Sequence, residues 1–189
     1  MSMIGLPYGR TYRYFTGPSP VFNFGEGLSY STWSLHNLSL AVVSSTGILY
    51  HQQDQFNPLF SPCDSIVISL DLLNEGPFDG DQVLQVYVRL QDVSLLTPLL
   101  SLASFQRTFL ANQNSSNLQF LLPPRAFSIV NGDTRAWELM PASVGIFIGF
   151  TMPISEANWS GLQAFRIQLT GPVRPLADCY NSSFGVRMY

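Results

Sequence analysis

Ser65-Ile-Val-Ile-Ser-Leu-Asp-Leu72 and Leu84-Gln-Val-Tyr-Val-Arg-Leu90 place an apolar side chain at every second residue. Successive side chains of a β-strand point to opposite faces, so Ile66, Ile68, Leu70 and Leu72 share one face, as do Leu84, Val86, Val88 and Leu90. Ser65, Ser69 and Asp71 in the first run, and Gln85, Tyr87 and Arg89 in the second, are expected on the solvent side. Each run then reads as a half-buried strand. The same alternation recurs in Leu118, Phe120 and Leu122 and in Phe165, Ile167 and Leu169, with shorter versions over 38–43, 104–110 and 145–150, giving about seven strands. Turn chemistry separates them: Asn74-Glu-Gly-Pro77, Asp79-Gly-Asp81, Pro123-Pro124, Asn131-Gly-Asp133 and Thr170-Gly-Pro172.

No stretch of a dozen residues carries the i, i+3, i+4, i+7 apolar recurrence of a helix, which argues against parallel βαβ units. About seven short antiparallel strands patterned on one face predict an all-β fold, an antiparallel β-sandwich of the immunoglobulin or fibronectin type III kind, with a barrel as the rival. The strands fill residues 31–170. Residues 1–30, punctuated by glycine and proline, read as an irregular leader, and residues 171–189 as a tail. The leader's Tyr8, Tyr12, Tyr14, Phe15, Phe22, Phe24 and Tyr30 carry more apolar surface than a solvated loop needs, so they call for a partner surface.

Composition excludes several functions. The chain has 189 residues, 46% hydrophobic but only 11% charged, against about 25% charged in an ordinary domain. All nine basic residues are arginines, which removes a P-loop lysine and a Schiff-base lysine together. A net charge of -3 offers no basic field for a phosphate backbone, so no nucleic-acid partner is expected. The longest apolar run, Val144 to Phe150, is far short of the ~18 residues a membrane helix needs, so no membrane partner is expected either. The N-terminus lacks a secretory signal pattern, yet Asn-x-Ser acceptor motifs stand at Asn37, Asn114, Asn158 and Asn181. Secretory marks without a signal are expected of the end of a longer precursor, secreted or vacuolar–lysosomal. Cys63 and Cys179 fit no zinc spacing; they are either a disulfide tying the tail to the domain or two buried thiols.

No catalytic constellation emerges. A glycosidase needs two carboxyls about 5–9.5 Å apart in a sugar-sized pocket, whereas the acids here fall at predicted turns and strand edges. Glu75, Asp79 and Asp81 cluster in one connection without the spacing of a calcium loop. Only His36 and His51 could serve as bases, and no Gly-x-Ser-x-Gly elbow accompanies them. No catalytic residue, metal ligand or cofactor is expected.

The leader bears a family resemblance. Gly9-Arg-Thr-Tyr-Arg-Tyr-Phe-Thr-Gly17 followed by Val21-Phe-Asn-Phe-Gly-Glu-Gly-Leu-Ser-Tyr30 resembles the junction leading into the C-terminal fibronectin type III-like domain of glycoside hydrolase family three, the β-glucosidases and β-xylosidases. Leu70-Asp-Leu-Leu-Asn-Glu-Gly76, Gly80-Asp-Gln-Val-Leu-Gln-Val-Tyr-Val88, Ser104-Phe-Gln-Arg107 and Val144-Gly-Ile-Phe-Ile-Gly149 look like its later landmarks, in order. The likeness runs from about residue 5 to 170. Leu99-Leu-Ser-Leu102 and the asparagine-rich stretch 111–117 depart from the usual pattern. Thr16-Gly17 and the cysteine ahead of the second strand lean toward the β-xylosidase side.

The resemblance implies an accessory domain fragment of an enzyme that hydrolyses O-glycosyl bonds. The family's nucleophile is an aspartate commonly set in Ser-Asp-Trp; no Asp-Trp pair occurs here, so catalysis would reside in the catalytic domains of the parent. Arg10, Tyr12, Arg13, Tyr14, Phe22, Phe24 and Tyr30 would pack the seam between those domains and the sandwich. The alternative is a free-standing carbohydrate- or protein-binding module using Trp33, Trp137 and Trp159.

Overall fold

The computed structural model describes residues 8–44, 47, 49–51, 59–153 and 163–181. In chain order its elements are α1 (Thr11–Tyr14), β1 (Trp33–Val43), β2 (Leu49–His51), β3 (Leu59–Phe60), β4 (Ser65–Asn74), β5 (Gly80–Gln91), β6 (Ser101–Leu110), β7 (Ser115–Leu122), β8 (Ile129–Val130), β9 (Trp137–Leu139), β10 (Ala142–Gly149), β11 (Gln163–Leu169), β12 (Arg174–Pro175) and α2 (Asp178–Asn181). The seven longer strands, β1, β4, β5, β6, β7, β10 and β11, are those the alternation predicts.

They form two large sheets, one of order β2-β1-β4-β7 and one of order β3-β11-β10-β5-β6, with a small third sheet β12-β9-β8. Among the described residues every pairing is antiparallel except β3 on β11. The sandwich interior is what the period-two pattern requires: Ile66, Ile68, Leu70 and Leu72 of β4 meet Leu84, Val86 and Val88 of β5 and Val144, Ile146 and Ile148 of β10 in one apolar cluster. At the end of β4 the buried Asn74 closes the turn, its amide donating to the carbonyls of Phe78 and Leu110 while its carbonyl accepts from Gly76 N–H.

One expectation fails. Gln85 and Tyr87 were to face solvent, but both are buried, and all eight residues of β10 are buried too. Tyr87, Leu100 and Phe147 form a second, smaller core on the outer face of the five-stranded sheet, with Tyr12, Leu102 and Met152 packed against it. Alternation describes one covered face; here the leader covers the other.

The segment after β11 is tied down as well. Pro175 pairs with Glu138 and Leu176 N–H donates to Trp137 carbonyl, and the sulfurs of Cys63 and Cys179 are bonded across a separation of 116 residues. Arg174 Nη1 lies 3.8 Å from Cys63 Sγ. In the β8–β9 hairpin, hydrogen bonds from Asn131 and Thr134 hold the Glu138 carboxyl below the usual range. Asn117 and Asn37 do the same for Asp71. Among the described residues no helix is long and apolar enough to cross a membrane.

Truncating Ile68, wholly buried between the sheets, to alanine is expected to cost about 2–5 kcal/mol in urea unfolding, while Gln119→Ala on the exposed face of β7 should stay within about 0.5 kcal/mol. Acid should destabilise the chain with a defined sign. Carboxyls whose folded pKa is depressed bind protons more readily when unfolded, so their stabilisation is present above the ordinary values of 4.5 for Glu138 and 3.8 for Asp71 and is lost as the pH falls through the folded values. Urea unfolding across acid pH should show this fall, and Glu138→Gln should flatten it.

Candidate functional site

Two rings fasten the leader to the sheet. Tyr12, on the single turn α1, stacks on Phe24 with centroids 4.0 Å apart and meets Tyr87 edge-on at 6.5 Å; such offset and T-shaped pairs are the favoured aromatic geometries. Backbone bonds follow the rings. Leu99 N–H donates to Arg13 carbonyl at 2.7 Å, Leu102 N–H to Tyr12 Oη at 3.2 Å, and Met152 N–H to Phe24 carbonyl at 3.0 Å. Arg13 adds a bond from Nη2 to Ser101 Oγ at 2.9 Å, while its buried Nε has no hydrogen-bond partner.

Gln85 is the latch beneath this strap. Its Nε2 donates to the carbonyls of Gly25 and Phe150, and its Oε1 accepts from Tyr87 hydroxyl at 2.5 Å, so every polar atom of this buried carboxamide is used. Burial, with a smaller contribution from the neighbouring Tyr12 phenol, pushes the Tyr87 pKa up and keeps its hydroxyl a donor. Glycine is required at 25: φ is +76°, and a Cβ there would collide with the Gln85 carboxamide.

The other predicted seam residues divide. Arg10 and Tyr14 are half-buried, Tyr14 lining a small cleft of about 130 Å³ with Arg13, Pro98 and Trp137. Phe22 is exposed and Tyr30 is 93% exposed, with Leu28 beside it 91% exposed. Between leader and sheet lies an open groove of about 730 Å³, walled by Tyr12, Phe15, Phe22, Phe24, Leu100 and Met152. Among the described residues that line it Arg89 is the one that is charged, so these residues present no carboxyl pair of the kind that glycoside hydrolysis uses.

Several of the described acids have structural partners. Glu26 bonds Asn23, Asp64 accepts from Ser61 N–H, Asp79 from Asn112 N–H, and Asp81 pairs with Arg107 at 2.8 Å. Glu75, Asp79 and Asp81 thus bond in three directions, and among the described residues no group of three His, Cys, Asp or Glu is placed to hold a metal ion. Ser34, His36 and Glu75 do come together: Ser34 Oγ lies 2.9 Å from His36 Nε2 and donates to Glu75 Oε1 at 2.7 Å, while Nε2 is 3.8 Å from that same oxygen. A hydrolytic triad orders the carboxylate behind the far nitrogen of the ring; here serine and carboxylate crowd one nitrogen at an exposed surface.

Trp33 is half-buried against the core and donates Nε1–H to Ser29, and Trp137 lies under the Arg125 guanidinium at 4.6 Å. Asn37 stands exposed at a β1 bulge with φ +50°, donating to Asp71, and Asn114 is exposed in the β6–β7 turn. Asn158, Trp159 and the side chains of His51 and Asn181 lie outside the described residues.

Residues 82–151 match the family described as the fibronectin type III-like domain. The chain is 27% identical over 135 residues to the probable β-glucosidase M of Aspergillus niger, covering 69% of this chain and 17% of that protein. It is 28% identical over 142 residues to the thermostable β-glucosidase B of Acetivibrio thermocellus, covering 73% and 17%. A β-glucosidase from Listeria innocua in complex with gluconolactone superposes with a TM-score of 0.65 at 21% identity, over 89% of this chain and 20% of that one. The sandwich thus has a fibronectin type III-like fold, similar over residues 82–151 to that domain and over about 70% of the chain to β-glucosidases, and this chain spans about a sixth of the length of the curated relatives.

Gln85→Leu is expected to leave Tyr87 hydroxyl and the Gly25 and Phe150 carbonyls without their bonds, at a cost of about 1–3 kcal/mol. Limited proteolysis should then cut within residues 15–30 faster than in the unaltered chain, and Gly25→Ala should do the same.

Proposed function

We propose that this chain is the C-terminal accessory domain of a family-three-type β-glycosidase, whose catalytic residues lie in another part of the parent protein. The observation that carries this reading is the two-sided leader. Tyr12 and Phe24 grip the sheet and Phe22 walls the groove beside them, while Leu28 and Tyr30 are left uncovered. A contiguous exposed apolar patch is the mark of an interaction surface, and the relatives that share this domain are about six times its length. The domain buries one side of the leader and offers the other to the catalytic region, holding that region's shape. The parent acts on O-glycosyl bonds; the relatives' names favour a β-glucosidase, and a β-xylosidase is the neighbouring specificity. The acceptor motifs at Asn37 and Asn114, both exposed, support a secreted or vacuolar–lysosomal glycoprotein.

A free-standing sugar-binding module has less support: Trp33 packs against the core, and Arg125 occupies one face of Trp137. The isolated chain is expected to show no turnover of aryl β-glucosides or β-xylosides and no retention on glycan columns. Turnover that survives repurification, or firm glycan retention, would overturn the accessory reading. Expressed through a eukaryotic secretory pathway, the chain should lose mass on peptide-N-glycosidase treatment, and Asn37→Gln should remove one glycan.

A further inference from the structure

We infer that the leader is only half of the docking surface: Phe105 and Phe109, on the outer face of β6, form the other half, and their occupant is the catalytic region of the same protein. This rests on the accessory-domain reading above. Directly opposed residues of paired strands share a face of the sheet. Gln85, the latch under Gly25, pairs with Phe105, Val83 with Arg107, and Asp81 with Phe109. Phe105, Arg107 and Phe109 therefore continue the face that carries Tyr87, beyond the part the leader covers.

The rings stand in solvent, Phe105 66% and Phe109 61% exposed, with the Arg107–Asp81 ion pair between them. The leader borders the same surface. From Gly25, bonded to Gln85, it runs to Ser31, whose hydroxyl donates to Phe78 carbonyl and accepts from Phe78 N–H at the turn before β5. Leu28 and Tyr30 lie in the span between these two anchor points, and Phe78, at its far end, is exposed. The outer face of the other large sheet is mixed, with Ser69, Asp71, Asn117 and Gln119 beside the Val67–Leu121 pair, and β4 and β7 bring no aromatic ring to it. A second copy joined along the edge of β6 would use backbone groups; the phenylalanines instead lie on the sheet's face, continuous with the leader, and this favours the catalytic region as their cover.

The catalytic region of the Acetivibrio thermocellus β-glucosidase B, expressed without its matching segment, serves as the probe, and its affinity for the unaltered chain is measured by titration calorimetry. Phe105→Ser with Phe109→Ser is expected to weaken binding at least about tenfold, as loss of aromatic anchors does. Leu28→Ser with Tyr30→Ser should do likewise, and Asn117→Ala with Gln119→Ala should change it less than about twofold. Thermal melting checks that each variant folds. Hydrogen exchange needs no substitution: the probe should slow exchange across residues 101–110, and unchanged exchange there would overturn the inference. Loss in the leader pair with full affinity in the phenylalanine pair overturns it too, while leaving the accessory reading intact. Full affinity in both pairs, or no binding by the unaltered chain, overturns both. A dimer in sedimentation that only the phenylalanine substitutions dissolve, without effect on probe binding, assigns the stripe to a second copy and also overturns it.

Discussion

The five-stranded sheet has two apolar faces, and a sandwich supplies cover for only one. Tyr87 and Phe147 sit on the outer face, where β-sandwich strands ordinarily carry polar residues. Burying aromatic rings of that size is worth a few kcal/mol each, so the outer face demands a lid. The leader supplies it through Tyr12 and Phe24, and the polar atoms trapped underneath are satisfied by Gln85, Tyr87 and the leader's own carbonyls. The same few residues thus complete the domain's fold and hold the outward rings in place.

Charge scarcity has a related physical sense. With 11% charged residues, the polar side of the domain relies on amide and hydroxyl groups. Asn117 and Asn37 converge on Asp71 there, and their hydrogen bonds, with a smaller electrostatic contribution from His36, stabilise its carboxylate. The opposite side carries the Phe105 and Phe109 rings and the Arg107–Asp81 ion pair, a mix of aromatic and charged groups of the kind that protein interfaces use.

The fold was legible because an inward face writes itself into the chain every second residue. Ile66 to Leu72 and Leu118 to Leu122 need no knowledge of distant segments. Alternation misplaces Gln85 and Tyr87 because their burial depends on Gly25 and Tyr12, sixty or more residues away, and no local periodicity encodes that contact. The tail's pairing with β9 is likewise long-range: Arg174 and Pro175 alternate with nothing, and their order comes from Glu138, Trp137 and the Cys63 linkage. For the candidate surface, the leader rings stood out because glycine and proline surround them. Phe105 and Phe109 did not, since in a strand of mixed residues alternation says that two faces differ and leaves open which faces inward.

The central claim, that the leader is part of the folded domain and clamped to its outer sheet, is tested most directly by amide hydrogen exchange at Leu99, Leu102 and Met152. Their N–H groups donate to Arg13, Tyr12 and Phe24, respectively. The account predicts protected exchange at all three in the unaltered chain, collapsing in Tyr12→Ala while the β5–β10 ladder stays protected. Fast exchange at these amides in the unaltered chain, with the ladder protected, would contradict it.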